Sequence, residues 1–167
     1  FAFSRFLVPY LSNYRGWSIF MDCDMMLRSD IAELYNQATF KYSVMCSQHN
    51  YKPKQDIKFR GAKNQQFPKK NWSSVMLFNN SQCTKLTPEY VNTASGLDLH
   101  QFKWLEREYM IGQLPLEWNW LVGEYGYNET AKNVHWTLGG PWYKEFKEQD
   151  YSNEWHELYN SMTEVDK

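Results

Sequence analysis

Ile19-Phe20-Met21-Asp22-Cys23-Asp24-Met25-Met26-Leu27 is the stretch that decides how the rest of the chain is read. The run Trp17 to Met21 (WSIFM) is continuous and apolar, as in a strand covered on both faces, and it leads straight into two carboxylates spaced two apart. Residues two apart in an extended segment point to the same side, so Asp22 and Asp24 can converge on one ion. Hard carboxylate oxygens suit Mg²⁺ or Mn²⁺ rather than Zn²⁺. Two acids at the carboxyl end of a strand repel each other unless a cation neutralises them, and that end of an open α/β sheet is where ligands bind. A metal-bridged phosphate is the expected occupant. A DxD triplet alone usually marks a turn or a helix cap, and the apolar strand in front of it is what makes this one a candidate centre.

Upstream, Phe3, Phe6, Leu7, Tyr10 and Leu11 recur at helical spacing, with Pro9 limiting the helix to the turns on either side of it. Downstream, Ser29 is the expected N-cap of a short helix over Asp30 to Tyr35. Tyr42 to Ser47 and Ser74 to Phe78 read as further buried strands, so a mixed or parallel sheet is expected. Between them, residues 50–71 form a long irregular loop with Lys52, Lys54, Lys58, Arg60, Lys63, Lys69 and Lys70 against a single acid, Asp56. It reads either as a solvated excursion or as a flap over an anionic ligand. Residues 97–109 are predicted helical, 114–120 irregular and aromatic, 131–137 a short strand, and 152–162 a closing helix on the spacing of Trp155, Leu158, Tyr159 and Met162.

The chain has 167 residues, enough for one domain with a single core and too few for two. Lys and Arg total 18 against 19 Asp and Glu, so the net charge of −1 gives no reason to expect nucleic-acid binding. Hydrophobic residues at 43% exclude disorder, while aromatics at 18% exceed what a core demands and point to exposed aromatic surface. No apolar run approaches the roughly 18 residues needed to span a bilayer, and no leader is visible. Cys23, Cys46 and Cys83 are odd in number and widely spaced, so we expect reduced thiols and a cytoplasmic protein. The opening FAFSRFLVPYL starts in mid-pattern with no cap, as if an N-terminal segment were missing.

His135 lies in KNVHWTLGGPW, just ahead of Gly139-Gly140-Pro141. A neutral imidazole is a good third ligand for Mn²⁺ beside two carboxylates, and a glycine-rich turn lets backbone approach a phosphate closely, so Gly139 and Gly140 are donor-binding candidates. Sugar rings present apolar CH faces beside their hydroxyls. Trp118, Trp120 and Trp142 are therefore candidates for an acceptor cleft, although any single Trp is more often core.

Asp22-Cys23-Asp24, NWSSVMLFN at 71–79, LPLEWNW at 114–120 and HWTLGGPW at 135–142 together resemble the GT-A glycosyltransferases related to family eight, which include glycogenin and bacterial lipopolysaccharide sugar transferases. The resemblance covers nearly the whole chain and is nearest to a bacterial branch of nucleotide-sugar transferases. It implies an α/β fold of nucleotide-diphospho-sugar transferase type, with a mixed, mostly parallel sheet flanked by helices and lacking the first strand-helix-strand unit. It also implies that Asp22, Asp24 and His135 hold Mn²⁺ or Mg²⁺ against the diphosphate of a nucleotide sugar, and that Arg5 assists donor binding. Asn71, with Ser73 or Ser74, would line the sugar site. The family's Asp-Gln pair is matched by His100-Gln101, leaving Gln101 as the catalytic candidate beside Asn71. Gly140 stands where the family's late motif has a lysine, so a lysine of the basic loop is expected to substitute.

The expected activity is transfer of a sugar from a nucleotide-sugar donor to an acceptor that the sequence does not name. One alternative is a haloacid-dehalogenase-type phosphatase, but that motif wants Thr or Val two residues after the second Asp, where Met26 stands. The other is a non-catalytic sugar-binding module.

Overall fold

The structure, a computed structural model, describes residues 2–55, 57, 61 and 63–164. Asp56, Lys58 and Arg60 of the basic loop lie outside the described residues. The chain opens with a 3₁₀ turn, Ser4–Leu7, continued by α1, Val8–Leu11. Pro9 sits in the first turn of α1, where its missing N–H costs nothing, so the amphipathic pattern is kept in two short pieces. Phe6, fully buried, is the anchor of this segment in the core.

Among the described residues seven strands follow: β1 Trp17–Met21, β2 Met25–Leu27, β3 Val44–Ser47, β4 Val75–Asn79, β5 Ile111–Leu114, β6 Trp120–Leu121 and β7 Asn133–His135. They form two sheets, a four-stranded one ordered β1-β4-β3-β5 and a three-stranded one ordered β2-β7-β6. The larger sheet is mixed, as expected, but it is not mostly parallel. β4 runs antiparallel to both β1 and β3, and only β3 and β5 are parallel. β3 and β4 are buried at every residue, and two-sided burial accounts for their continuous apolar sequence whatever their direction.

Helices α2 Ile31–Tyr35, α3 Pro88–Thr93, α4 Gly96–His100 and α5 Ser152–Glu164 complete the fold. The cap of α2 is Asp30 rather than Ser29, its side chain accepting from the Ala32 N–H at 2.8 Å. The helix expected over 97–109 stops at His100. Phe102 turns left-handed, at φ 59°, and the side chains of Phe102 and Trp104 pack into the core cluster around Phe6, Met76 and Phe78. A second cluster packs Leu34, Leu77, Leu114 and Trp118 against the opposite side of β4 and β5. A third, around Val134, Trp136 and Tyr151, seats α5 through Trp155. Among the described residues no helix is long and apolar enough to cross a membrane.

The basic loop is folded onto the body. Lys70 is buried and donates to Asn64 Oδ1 and the Gln65 carbonyl, while Glu124, also buried, accepts from the Lys54 N–H and the Asn64 amide. Lys69 pairs with Glu108 and donates to the Gln101 carbonyl.

Candidate active site

The site forms where the chain crosses from one sheet to the other. β1 ends at Met21 and β2 begins at Met25, so Asp22, Cys23 and Asp24 occupy the bend between them rather than one extended strand. The carboxylates converge all the same, and the crossing is what brings them together. The Asp22 N–H stays on the first sheet, donating to the Ser74 carbonyl at 3.0 Å. The Asp24 carbonyl accepts from the Trp136 N–H at 3.0 Å, and the register that pairs Met25 with His135 carries the imidazole alongside. One ligand atom from each of Asp22, Asp24 and His135 lies within 4.8 Å of the other two.

Asp22 and His135 are each held from behind. Arg5 clasps Asp22 with both amino groups, at 2.7 and 3.2 Å, and one of them also donates to the Ser73 carbonyl at 2.8 Å. The guanidinium lies over the Phe20 ring at 4.9 Å, a placement that suits a planar cation. His135 is 2% exposed; its Nε2 lies 3.3 Å from Asp24 Oδ1 and its Nδ1 2.9 Å from Asn119 Oδ1. The donor set of two carboxylates and one imidazole fits a hard to borderline divalent cation. The Arg5 clasp leaves lone pairs on the Asp22 oxygens for one.

The cluster opens into a cleft of about 760 Å³, lined among others by Arg5, Phe67, Asn71, His100, Gly139 and Trp142. Arg5 is the only Lys or Arg among the described lining residues, against two carboxylates. Among the described residues no lysine of the basic loop lines the cleft. Lys69 and Lys70 are spent on the partners given above, and the loop contributes Phe67 instead.

The other sequence candidates divide. Asn71 lines the cleft, in a left-handed conformation at φ 62°, but its amide donates to the Tyr51 hydroxyl at 2.8 Å and its carbonyl accepts from Asn119 at 3.0 Å. Gly139 lines the cleft at φ 147°, where a side chain would be strained and would meet the Phe146 ring. Gly140 is buried beneath Trp142 and is not among the lining residues. Gln101 is not brought to the cleft; it lines a separate small cavity with Lys69 and Glu108. The residue before it, His100, takes that place. Its Nδ1 is 2.6 Å from Ser73 Oγ, its ring packs edge-on against Phe6, and burial, helped by the Arg5 charge, lowers its pKa to about 4. Trp142 is 40% exposed at the cleft mouth. Trp118 is 1% exposed and belongs to the core, and Trp120 donates to the Gly126 carbonyl and packs on Tyr125 away from the cleft. Cys46 and Cys83 are buried free thiols whose pKa values burial raises, while Cys23 is free and exposed.

Mixed sheets flanked by helices give the chain the fold of the GT-A glycosyltransferases. Solved structures similar to the chain include the bifunctional glycosyltransferase WbbM (TM-score 0.64, 16% identity, 91% of this chain and 34% of that one). They also include the galactosyltransferase LgtC in complex with donor and acceptor sugar analogues (0.55, 14%, 95% and 66%). A third is the glycosyltransferase GlyE of Streptococcus pneumoniae TIGR4 (0.58, 13%, 93% and 42%). At these identities the likeness is one of fold. In sequence, the chain is 44% identical over its whole length to Protein CDI of Arabidopsis thaliana, and it spans 66% of that protein. No family model matches the sequence.

Proposed function

We propose that this chain carries the metal and donor centre of a glycosyltransferase that uses a nucleotide sugar and Mn²⁺ or Mg²⁺. The observation that carries the reading is the meeting of Asp22, Asp24 and His135 within 4.8 Å at a cleft of about 760 Å³ in a GT-A fold. The charge balance supports it. With two carboxylates against one guanidinium, the described lining repels a diphosphate until a cation is added. Bound there, the cation would act as a Lewis acid on the departing diphosphate, a contribution of several kcal/mol.

The chain's own groups take complementary parts. Asp22 and Asp24 supply hard oxygens and His135 Nε2 the third donor. Arg5 orients Asp22 and presents a fixed positive charge to a phosphate. His100 is neutral above about pH 5 and offers a hydrogen bond without charge. The exposed face of Trp142 suits the apolar side of a sugar.

The test is titration calorimetry of the full-length protein with uridine, guanosine, cytidine and adenosine diphosphates, each with and without Mn²⁺, followed by transfer assays with the matching sugars. Binding of one nucleoside diphosphate that needs the cation is the expected result. Cation-independent binding, or binding that survives Asp24→Asn, would remove the basis of the proposal. Donor binding with no turnover against any acceptor would identify a non-catalytic sugar-binding module.

A further inference from the structure

The acids and the histidine of the centre account for donors but not for the state of the ring. Asn119 is fully buried between two aromatic residues, Trp118 and Trp120, and makes two hydrogen bonds. Its amide nitrogen lies 3.0 Å from the Asn71 carbonyl and its Oδ1 lies 2.9 Å from His135 Nδ1. A backbone carbonyl can only accept, so the amide cannot be turned the other way without setting oxygen against oxygen. Oδ1 therefore faces the imidazole, and Nδ1 must carry the ring proton. In the neutral ring that leaves the Nε2 lone pair 3.3 Å from Asp24 Oδ1. Two acceptors at that separation need a proton or a metal ion between them, and the site's two carboxylates favour the metal ion.

The same bonds continue outward. Asn71, whose carbonyl fixes Asn119, gives its own amide to the Tyr51 hydroxyl at 2.8 Å, and Tyr51 stands at the start of the basic loop. The connection runs Tyr51, Asn71, Asn119, His135, Asp24, from loop to centre.

We propose that Asn119 is a positioning residue: it locks His135 in the Nδ1–H tautomer that a cation requires, and through Asn71 it ties that ring to Tyr51 and the root of the basic loop. The inference rests on the reading of Asp22, Asp24 and His135 as a cation site, and it adds Asn119 and Tyr51, which the sequence did not single out. Outer partners of a metal-bound histidine commonly change metal affinity by 10- to 100-fold when removed.

The first measurement needs no variant and no metal. Long-range ¹H–¹⁵N NMR of the full-length protein at about pH 8, where imidazole is neutral, distinguishes the two tautomers directly. We expect a single Nδ1–H form for His135, and an Nε2–H form overturns the proposal. Asn119→Leu is expected to give a mixture of tautomers and to weaken Mn²⁺ binding by about 10-fold or more in calorimetry. An unchanged tautomer with unchanged affinity overturns it equally. Tyr51→Phe removes one hydroxyl and keeps the ring, so it tests the outer end without threatening the fold, and is expected to weaken Mn²⁺ binding by about threefold. Affinity equal to that of the unsubstituted protein in Tyr51→Phe refutes the coupling to the loop. If the unsubstituted protein binds no Mn²⁺, the cation reading fails, while the tautomer result still decides the role of Asn119.

Discussion

Replacing Asp24 by Asn is the sharpest test of the centre, because the geometry predicts a gain of stability together with a loss of ligand. In the Nδ1–H form proposed above, Asp24 Oδ1 faces the lone pair of His135 Nε2 at 3.3 Å, an acceptor against an acceptor. An amide nitrogen in that position turns the pair into donor and acceptor, and the oxygen kept on the other branch preserves contacts accepted there. One new buried hydrogen bond contributes about 1 kcal/mol, which raises the melting temperature of a chain this long by about 2–4 °C. The unsubstituted protein, in contrast, should gain about 2.7 kcal/mol from Mn²⁺ at one hundred times its dissociation constant, or about 5–10 °C, and Asp24→Asn should gain nothing.

Asp22→Asn supplies the internal control. Its carboxylate is held by Arg5, whose side chain is only 13% exposed, so neutralising it leaves a largely buried guanidinium short of its counter-charge at a cost of about 1–3 kcal/mol. Both variants should lose the Mn²⁺ response, one melting above the unsubstituted protein and the other below it. Differential scanning calorimetry with and without Mn²⁺ gives all the numbers. A lower melting temperature for Asp24→Asn with the Mn²⁺ shift intact would show that the carboxylate belongs to the scaffold, and the reasoning would fall.

The tryptophans separate core from cleft: Trp118→Ala should cost about 3–5 kcal/mol and lower the melting temperature by about 10 °C, whereas Trp142→Ala should weaken acceptor or donor binding with a far smaller thermal effect. Reversed effects in calorimetry would overturn that assignment. Burial lowers the pKa of His49 to about 3 and that of His100 to about 4, so the unfolded chain takes up protons first as the pH falls. Their contribution to stability is therefore complete above about pH 6.5 and is lost progressively towards pH 4 for His100 and pH 3 for His49. Urea midpoints measured across that window should decline, and His100→Asn should flatten the decline; a flat profile in the unsubstituted protein would contradict the burial of both rings.

Much of the architecture was legible because it rests on continuous apolar runs. Trp17–Met21 is β1 residue for residue, and Ser152 begins α5 as its aromatic spacing required. Strand direction was not legible. A strand covered on both faces reads the same in a parallel or an antiparallel sheet, and the antiparallel pairing of β4 with both β1 and β3 depends on long connections that carry no periodic signal. The helix expected over 97–109 failed for a different reason. The spacing of Leu97, Gln101, Trp104 and Leu105 permits a helix, but burying Phe102 and Trp104 beside Phe78 stabilises a left-handed turn at Phe102 that helix propensity opposes.

That early stop also decides which residue reaches the cleft. Successive side chains on a helix differ by about 100° in direction, so a motif match that is right about position still leaves its phase open until the end of the helix is known. α4 ends at His100 and Gln101 is its C-cap, which puts the imidazole on the cleft and the amide against Lys69 and Glu108. The proposed metal donors escape this difficulty because residue type marks them: two acids after an apolar strand and a histidine before a glycine turn have ligand chemistry at any phase. Asn119 has no such mark. Within LPLEWNW it is one amide among aromatic residues, and only the pairing of β6 with β7, which sets Leu121 opposite His135, turns it toward the ring it supports. A fully buried side-chain amide between two tryptophans was nonetheless a signal, since a polar group in that setting has to find partners of its own. The partners it finds are the Asn71 carbonyl and the His135 ring, which places the least conspicuous polar residue of the motif between the loop and the centre.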